Sequence, residues 1–217
     1  MKAGVITFPG SNCDRDVQYV LENFFSIKTS ILWHNQTFDD KGYDLIVLPG
    51  GFSYGDYLRC GAIAKLSKAM NSVYEHAKKG KPILGICNGF QILCEAKLLP
   101  GVLIRNQNLL HIAKDVPIVK GNFEPFQHLS RTYWIPVSHS EGNYYADEET
   151  IKQLKDEGRI AFYYEINVNG SKENIAGILS ENKKILGMMP HPERATDPLN
   201  GKTDGYILLK AILDALL

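Results

Sequence analysis

Cys87, His191 and Glu193 are residues of the three types that cooperate in nucleophilic catalysis by a thiol. In such sites a thiolate attacks a carbonyl carbon, a histidine carries the proton, and a carboxylate orients the histidine. Cys87 lies in the stretch GICNGFQ at 85–91, and the other two residues lie in MMPHPERA at 188–195. These residue types predict a catalytic triad that is assembled from two distant segments of the chain.

Cys87 follows an apolar run, PILGI, and precedes a short stretch of helical character. A cysteine in that position is usually part of the core, because cysteine is among the residues most often buried. Here, however, the pattern is Gly85-x-Cys87-x-Gly89 between a strand and a helix, which is the cysteine version of a nucleophile elbow. The helix N-terminus behind the thiol favours its charged form. We therefore interpret Cys87 as the nucleophile.

His191 and Glu193 flank a proline, which favours an extended backbone at the preceding histidine. Side chains two residues apart in an extended segment point to the same side. Glu193 could therefore contact one ring nitrogen of His191 while the other nitrogen faces Cys87. Taken alone, the pair could equally be a loop histidine beside a surface glutamate. In combination with the elbow it predicts the base and its orienting acid.

Acyl transfer also needs hydrogen-bond donors for the oxyanion that forms in the transition state. The backbone N–H of Gly51, in LPGGF at 48–52, and that of Asn88, directly after the nucleophile, are the predicted donors. The paired glycines could also be only a turn that ends a strand. His139 ends a further strand candidate, and we expect it to line the pocket.

The remaining cysteines give little sign of chemistry. Cys13 lies near a predicted helix start, but no histidine-carboxylate pair adjoins it in the sequence. Cys60 and Cys94 fall within or near predicted helices and are interpreted as core residues. No two cysteines have the C-x-x-C spacing of a zinc site. The sequence therefore predicts no metal site.

Apolar runs alternate with stretches of helical periodicity, which predicts an α/β fold with a mostly parallel sheet and helices on both faces. The middle of the chain, 101–145, has shorter and more polar strand candidates, which we interpret as antiparallel additions at one sheet edge. We expect one domain over residues 1–217. The predicted strands are 3–8, 30–34, 44–51, 82–86, 132–138, 160–165, 175–180 and 185–189. The predicted helices are 14–25, 61–79, 89–96, 147–157 and 203–217.

The composition excludes several classes of partner. The 217 residues have a formal net charge of +0, and no cluster of lysine and arginine suggests nucleic acid binding. No apolar run reaches the length of a membrane span, and the run near the N-terminus is too short for a signal peptide. We therefore expect a cytoplasmic protein without membrane or nucleic acid partners, whose four cysteines are free thiols.

Three separated segments resemble class I (triad-type) glutamine amidotransferases: LPGGFSYGDYLRCGAIA at 48–64, GICNGFQIL at 85–93 and MMPHPERA at 188–195. The segment 48–64, together with PGSNCDRD at 9–16, resembles more narrowly the glutaminase subunits of phosphoribosylformylglycinamidine synthase, the PurQ type. The resemblance covers almost the whole chain. It implies a flavodoxin-like amidotransferase domain.

The resemblance also implies roles for individual residues. Cys87 would form a glutamyl thioester with L-glutamine, with His191 as base and Glu193 as orienting acid. Gly51 and Asn88 would hold the oxyanion, and Gln91 would lie beside the substrate, as would His139. Where the family has Gly-Glu-Gly after this histidine, the chain has Ser-Glu-Gly at 140–142.

In that family the ammonia passes to a large synthetase subunit (the PurL type), often through a complex bridged by a small subunit (the PurS type). The resemblance therefore implies that ATP and magnesium are used by the partner and that this chain needs no cofactor. The partner would convert formylglycinamide ribonucleotide to its amidine in de novo purine biosynthesis. Two other functions stay open from the residues alone. One is another cysteine hydrolase on the same fold, such as a γ-glutamyl hydrolase or a peptidase, and the other is a binding subunit without catalysis.

Overall fold

The computed structural model describes residues 1–217, which form eleven strands and five α-helices. The strands are β1 (Lys2–Thr7), β2 (Lys28–Trp33), β3 (Leu45–Leu48), β4 (Ile83–Ile86), β5 (Val102–Ile104), β6 (Ile112–Lys120), β7 (Tyr133–His139), β8 (Asn143–Tyr145), β9 (Ile160–Tyr164), β10 (Ile175–Leu179) and β11 (Ile185–Met188). The helices are α1 (Asp14–Phe25), α2 (Lys68–Lys78), α3 (Asn88–Glu95), α4 (Glu148–Asp156) and α5 (Asp204–Leu216).

Nine strands form one sheet in the order β2-β1-β3-β4-β11-β10-β9-β6-β7. The first five of these strands are parallel to one another, and every following pair is antiparallel. A separate antiparallel pair joins β5 to β8. The predicted α/β fold, with antiparallel strands added at one edge of a mostly parallel sheet, is confirmed.

The central strands are apolar along their whole length because both of their faces are covered. Every residue of β3, β4 and β11 is buried. A parallel sheet with helices on both faces has no solvent-facing side, so the alternation of polar and apolar residues disappears. Because β1, β3, β4 and β11 pair in parallel, their carboxyl ends lie along one edge of the sheet.

The helices follow the predicted periodicity, with one clear exception. The prediction of a helix over 61–79 is wrong in its first part, because α2 begins only at Lys68. Gly61 has a φ of 78°, and Ser67 has an extended backbone with a ψ of 155°, so neither residue continues an α-helix. No helix is both long enough and apolar enough to cross a membrane.

The middle of the chain contains a strand that the sequence analysis missed. Strand β6 is nine residues long and pairs with both β7 and β9. Its polar stretch at 114–115 and Pro117 hide its strand character in the sequence.

Gly89 permits the close approach of α3 to β3. A Cβ atom built at this position would lie 1.9 Å from the carbonyl oxygen of Leu48. We expect Gly89→Ala to lower the free energy of unfolding by about 3 kcal/mol or more, because the helix would have to move away from the sheet. Urea unfolding followed by circular dichroism measures this.

Gly42→Ala is the matched control, since a Cβ at Gly42 meets nothing within 4 Å. Its free energy of unfolding should stay within about 0.5 kcal/mol of the wild type. Equal unfolding midpoints for the two variants would contradict the close packing of α3.

Candidate functional site

The predicted site residues come together at the carboxyl edge of the parallel strands. Cys87 follows β4, Gly51 lies shortly after β3, and His191 lies shortly after β11. Open α/β sheets bind ligands in the crevice outside this edge. The structure thus places the two distant segments of the sequence on neighbouring strands.

Cys87 stands at a sharp turn between β4 and α3. Its backbone has a φ of 51° and a ψ of −105°, an unfavourable conformation for a residue with a Cβ. Its N–H donates to the carbonyl oxygen of Met188 at 2.7 Å, which ties the turn to the end of β11. Its Sγ lies 3.6 Å from the carbonyl oxygen of Ser138. The turn has the strand, strained residue and helix of the predicted nucleophile elbow.

His191 and Glu193 form a buried pair. Nδ1 of His191 lies 2.7 Å from Oε1 of Glu193, and both side chains are almost fully buried. The backbone reaches this contact by another route than the predicted extended segment, because residues 192–195 form a 3₁₀-helical turn. The backbone N–H of His191 donates to the carbonyl oxygen of Pro136 at 2.8 Å, which anchors the turn to β7.

The electrostatics of this pair favour a protonated imidazole. Burial disfavours the charged ring, but the charge of Glu193, with smaller contributions from the neighbouring Cys87 and Cys13, outweighs burial and raises the pKa of His191 well above its ordinary value. Nε2 of His191 is buried without a hydrogen-bond partner. Cys87 and His191 line one small cavity, so this nitrogen is available to exchange a proton with the thiol.

The backbone N–H groups of Gly51 and Asn88, the predicted oxyanion donors, have no backbone hydrogen-bond acceptor. Gly51 has a φ of 149°, and a Cβ there would lie 2.7 Å from backbone atoms of residues 10–12. Its neighbour Phe52 donates its N–H to Gly10, whereas the N–H of Gly51 donates to no backbone acceptor. The N–H of Asn88 lies in the first turn of α3, where an α-helix offers no intrahelical acceptor. Two donors near Cys87 suit a developing oxyanion.

Gln91 and His139 line a second cavity of about 200 Å³, which also contains Cys87. The Gln91 amide is fixed, since it donates to the carbonyl oxygen of Glu141 at 2.7 Å and accepts from Nδ2 of Asn88 at 2.9 Å. Burial, together with the nearby charges of His191 and His111, lowers the pKa of His139 to about 4. His139 is therefore neutral near pH 7. The cavity has the size for a small polar substrate beside the thiol.

Cys13 is a site neighbour that the sequence analysis missed. Its Sγ lies 3.8 Å from Nδ1 of His191, although no histidine adjoins it in the sequence. Burial raises the pKa of Cys13, so it stays a neutral thiol. Cys13, His191 and Glu193 each place one donor atom within 4.8 Å of the others. A soft cation could bind there only if His191 gave up its hydrogen bond to Glu193.

Other lining residues also lacked a signal in the sequence. The cavity lined by Gln91 and His139 also includes Asp56, Cys60 and Glu141, which the sequence had not indicated as site residues. They belong to irregular segments, where no periodicity shows which way a side chain points. The stretch FSYGDYLR at 52–59, which mixes aromatic and charged residues, is one sign in the sequence that this loop could reach the site. The catalytic and binding roles of all these residues stay predictions.

Comparison with known proteins identifies relatives along the whole chain. The family model of the CobB/CobQ-like glutamine amidotransferase domain matches residues 1–204. A phosphoribosylformylglycinamidine synthase subunit PurQ from Nostoc sp. is 49% identical over 222 residues, covering 100% of this chain and 99% of the relative. The subunit of the same name from Leptospira interrogans is 51% identical over 218 residues, covering 98% of this chain and 99% of the relative.

Solved structures agree in fold. A chain of the PurLQS structure from Thermotoga maritima superposes with a TM-score of 0.86 at 40% identity, covering 100% of this chain and 99% of that one. Another glutamine amidotransferase from Thermotoga maritima superposes with a TM-score of 0.60 at 18% identity, over 100% of this chain and 91% of that one. The second likeness is one of fold alone.

The His191–Glu193 pair predicts a pH dependence of stability. A histidine whose pKa is raised by folding adds stability below its unfolded value of about 6.5 and loses that contribution as the pH rises through the folded pKa. Glu193→Gln removes the charge and should lower the pKa of His191. The difference in free energy of unfolding between wild type and variant should therefore be largest near pH 6 and shrink as the pH rises.

Urea unfolding at a series of pH values measures the difference, and NMR titration of the His191 ring measures the pKa directly. Glu181→Gln, an exposed glutamate far from His191 in the fold, is the control and should give no such pH-dependent difference. A His191 pKa that is the same in Glu193→Gln and wild type would contradict the assignment.

Proposed function

Because this chain belongs to the CobB/CobQ-like glutamine amidotransferase family, we propose that it is the glutaminase subunit of a phosphoribosylformylglycinamidine synthase. It hydrolyses L-glutamine to glutamate and ammonia and delivers the ammonia to a synthetase subunit. The observation that carries the proposal is full-length identity near one half to subunits of that name, with Cys87 and the His191–Glu193 pair at one cavity.

The first chemical step is attack of the Cys87 thiolate on the side-chain amide carbon of glutamine. Nε2 of His191, which is buried and unpartnered, takes the thiol proton, and Glu193 stabilises the resulting imidazolium through Nδ1–H. The carbonyl oxygen becomes an oxyanion that accepts from the N–H groups of Gly51 and Asn88. Each such donor lowers the barrier by about 3–4 kcal/mol.

The second step breaks the C–N bond. His191 returns its proton to the departing nitrogen, which leaves as ammonia, and a glutamyl thioester remains on Cys87. A water molecule that His191 deprotonates then attacks the thioester carbonyl carbon. Glutamate leaves, and the thiol is restored.

The proposed partners explain where the ammonia goes. A large synthetase subunit uses ATP and magnesium to convert formylglycinamide ribonucleotide to formylglycinamidine ribonucleotide, and a small third subunit bridges the two. The solved relative from Thermotoga maritima is described as part of PurLQS, which supports an assembly of this kind. The cytoplasm, where purine nucleotides are made, is the proposed location, and no cofactor is assigned to this chain.

Replacement of the nucleophile should abolish the chemistry. We expect Cys87→Ala to lower kcat for glutamine hydrolysis by at least about 10⁴-fold, because no other group can form the thioester. An electrophilic glutamine analogue, 6-diazo-5-oxo-L-norleucine, should label the wild type at Cys87, which peptide mass spectrometry detects. Cys94→Ala, at a buried thiol on the far part of α3, should keep both properties.

These results also separate the competing functions. A binding subunit without catalysis would take no label at Cys87 and would lose nothing in Cys87→Ala. A peptidase or a γ-glutamyl hydrolase would cleave peptides or polyglutamates in preference to glutamine. Retained glutaminase activity in Cys87→Ala would contradict the proposed nucleophile.

Activity should depend on the partner. Tyr57 and Leu58 are 74% and 91% exposed on a loop whose neighbours line the glutamine cavity, so the loop is open to a docking subunit. We expect the isolated chain to hydrolyse glutamine at least about 10-fold more slowly than the chain mixed with the synthetase subunits, since a subunit docked on this loop would close the glutamine cavity to water. Glutamate release and amidine formation are the two measurements.

The control for ammonia transfer is a complex that contains Cys87→Ala. It should form the amidine from added ammonium chloride but not from glutamine. Full glutaminase turnover by the isolated chain would contradict partner dependence, without affecting the assignment of the nucleophile.

A further inference from the structure

The cavity beside Cys87 contains two carboxylates and no cationic side chain. Asp56 and Glu141 line it, and neither a lysine nor an arginine is among its lining residues. Both acids come from segments that the catalytic steps above do not use. A polar cavity with this charge attracts a positively charged group.

The two acids lie close together and are partly shielded from water. Burial raises the pKa of Asp56, and the charge of Glu141 adds to this effect, against hydrogen bonds from Cys60 and Asn88. Oε2 of Glu141 accepts from the Cys60 N–H at 3.2 Å, and Oδ1 of Asp56 lies 3.4 Å from Nδ2 of Asn88. Neutral donors therefore hold the two carboxylates in place without neutralising them.

The neighbouring cations Arg59 and Lys65 are already paired with another acid, Glu95. Arg59 lies close enough to Glu141 to feel its charge, but its Nη2 donates to Oε2 of Glu95 at 2.8 Å. Lys65 also donates to Glu95, at 3.1 Å. Like charges that share a site without a counter-ion are unfavourable, and a bound cation relieves the repulsion.

We propose that Asp56 and Glu141 bind the α-ammonium group of the substrate glutamine, an inference that rests on the proposed function. Asn88 links the two ends of the substrate, because its backbone N–H serves the reacting amide and its side chain contacts Asp56. Asn88 thereby sets the distance between the reacting amide of the substrate, beside the thiol, and its α-ammonium group, beside the two acids.

The loop that carries Asp56 has an unusual backbone conformation. Tyr54, Asp56 and Leu58 all have φ between 54° and 71°, a region that residues with a Cβ rarely adopt. Such a conformation persists only where surrounding contacts fix it, and it is concentrated at ligand sites. The phenol of Tyr54, in contact with Nδ1 of His34, provides one of these anchors.

The test compares glutamine with analogues that lack the positive charge. Glutaramate has no α-amino group, and N-acetylglutamine has a neutral one. The complex with the synthetase subunits should show a kcat/KM at least about 10-fold higher for glutamine than for either analogue, since hydrogen bonds to a charged group are the stronger ones. Failure of the wild-type complex to hydrolyse glutamine at all would count against the proposed function, whereas loss of this preference would count against the two acids.

The variants Asp56→Asn and Glu141→Gln keep the shape of each side chain and remove its charge. Each should raise KM for glutamine by about 10- to 100-fold with kcat changed by less than about 3-fold, and should leave kcat/KM for glutaramate unchanged. Where glutaramate turnover is too slow to measure, its inhibition constant against glutamine serves instead. The preference for glutamine over the analogues should therefore shrink in both variants.

Asp156→Asn, at an exposed acid in the last turn of α4, removes one negative charge far from the cavity and should change neither KM nor the preference. Circular dichroism melting confirms that each variant is folded. An unchanged KM for glutamine in both pocket variants would overturn the proposal. An equal loss of activity on glutamine and on glutaramate would overturn it as well, because it would indicate damage to the loop and not a lost charge contact.

Discussion

The parallel pairing of β4 with β11 is the constraint on which the site depends. The two strands pair in register from Ile83 with Ile185 to Ile86 with Met188, so both strands end at the same level of the sheet. The turn after β4 presents the thiol, and the turn after β11 presents the imidazole. The hydrogen bond from Cys87 to the Met188 carbonyl oxygen continues this pairing by one residue into the turn. A slip in register would separate the two groups, whatever their own conformations.

The antiparallel half of the sheet also contacts the turns that carry Cys87 and His191. In the sheet order β7 lies four strands away from β11, yet its Pro136 accepts a hydrogen bond from His191 and its Ser138 faces Cys87. The sheet therefore curls until its far edge covers the turns that carry Cys87 and His191. This closure buries the His191–Glu193 pair, and burial is what makes the negative charges around the ring effective.

Much of the fold was predictable because burial on both faces leaves an unmistakable apolar run in β3, β4 and β11. The contact between His191 and Glu193 was also predictable, although the backbone forms it through a turn and not an extended segment. Cys13, Asp56 and Glu141 were not, because their places depend on chain reversals and curvature that no periodicity records. The first part of the helix predicted at 61–79 was wrong because Ala62 and its apolar neighbours pack as turns after Gly61, where the helical pattern continues but the backbone does not.

Two different parts of the chain form the reacting groups and the opposite wall of the cavity. The parallel strands carry Cys87, His191 and both proposed oxyanion donors in the turns that follow them. The close approach of α3 to Leu48 leaves the turn at Cys87 almost no room for a change in backbone. The opposite wall of the cavity comes from β7 and the irregular residues after it, which are fixed mainly by side-chain hydrogen bonds such as those of Asn106. In evolution, the wall can therefore be remodelled, insertions and deletions included, while the reacting groups stay where they are. The surroundings of Cys87 can accordingly change through the irregular residues after β7, which make no hydrogen bond to the thiol, whereas Ser138 within β7 contacts it.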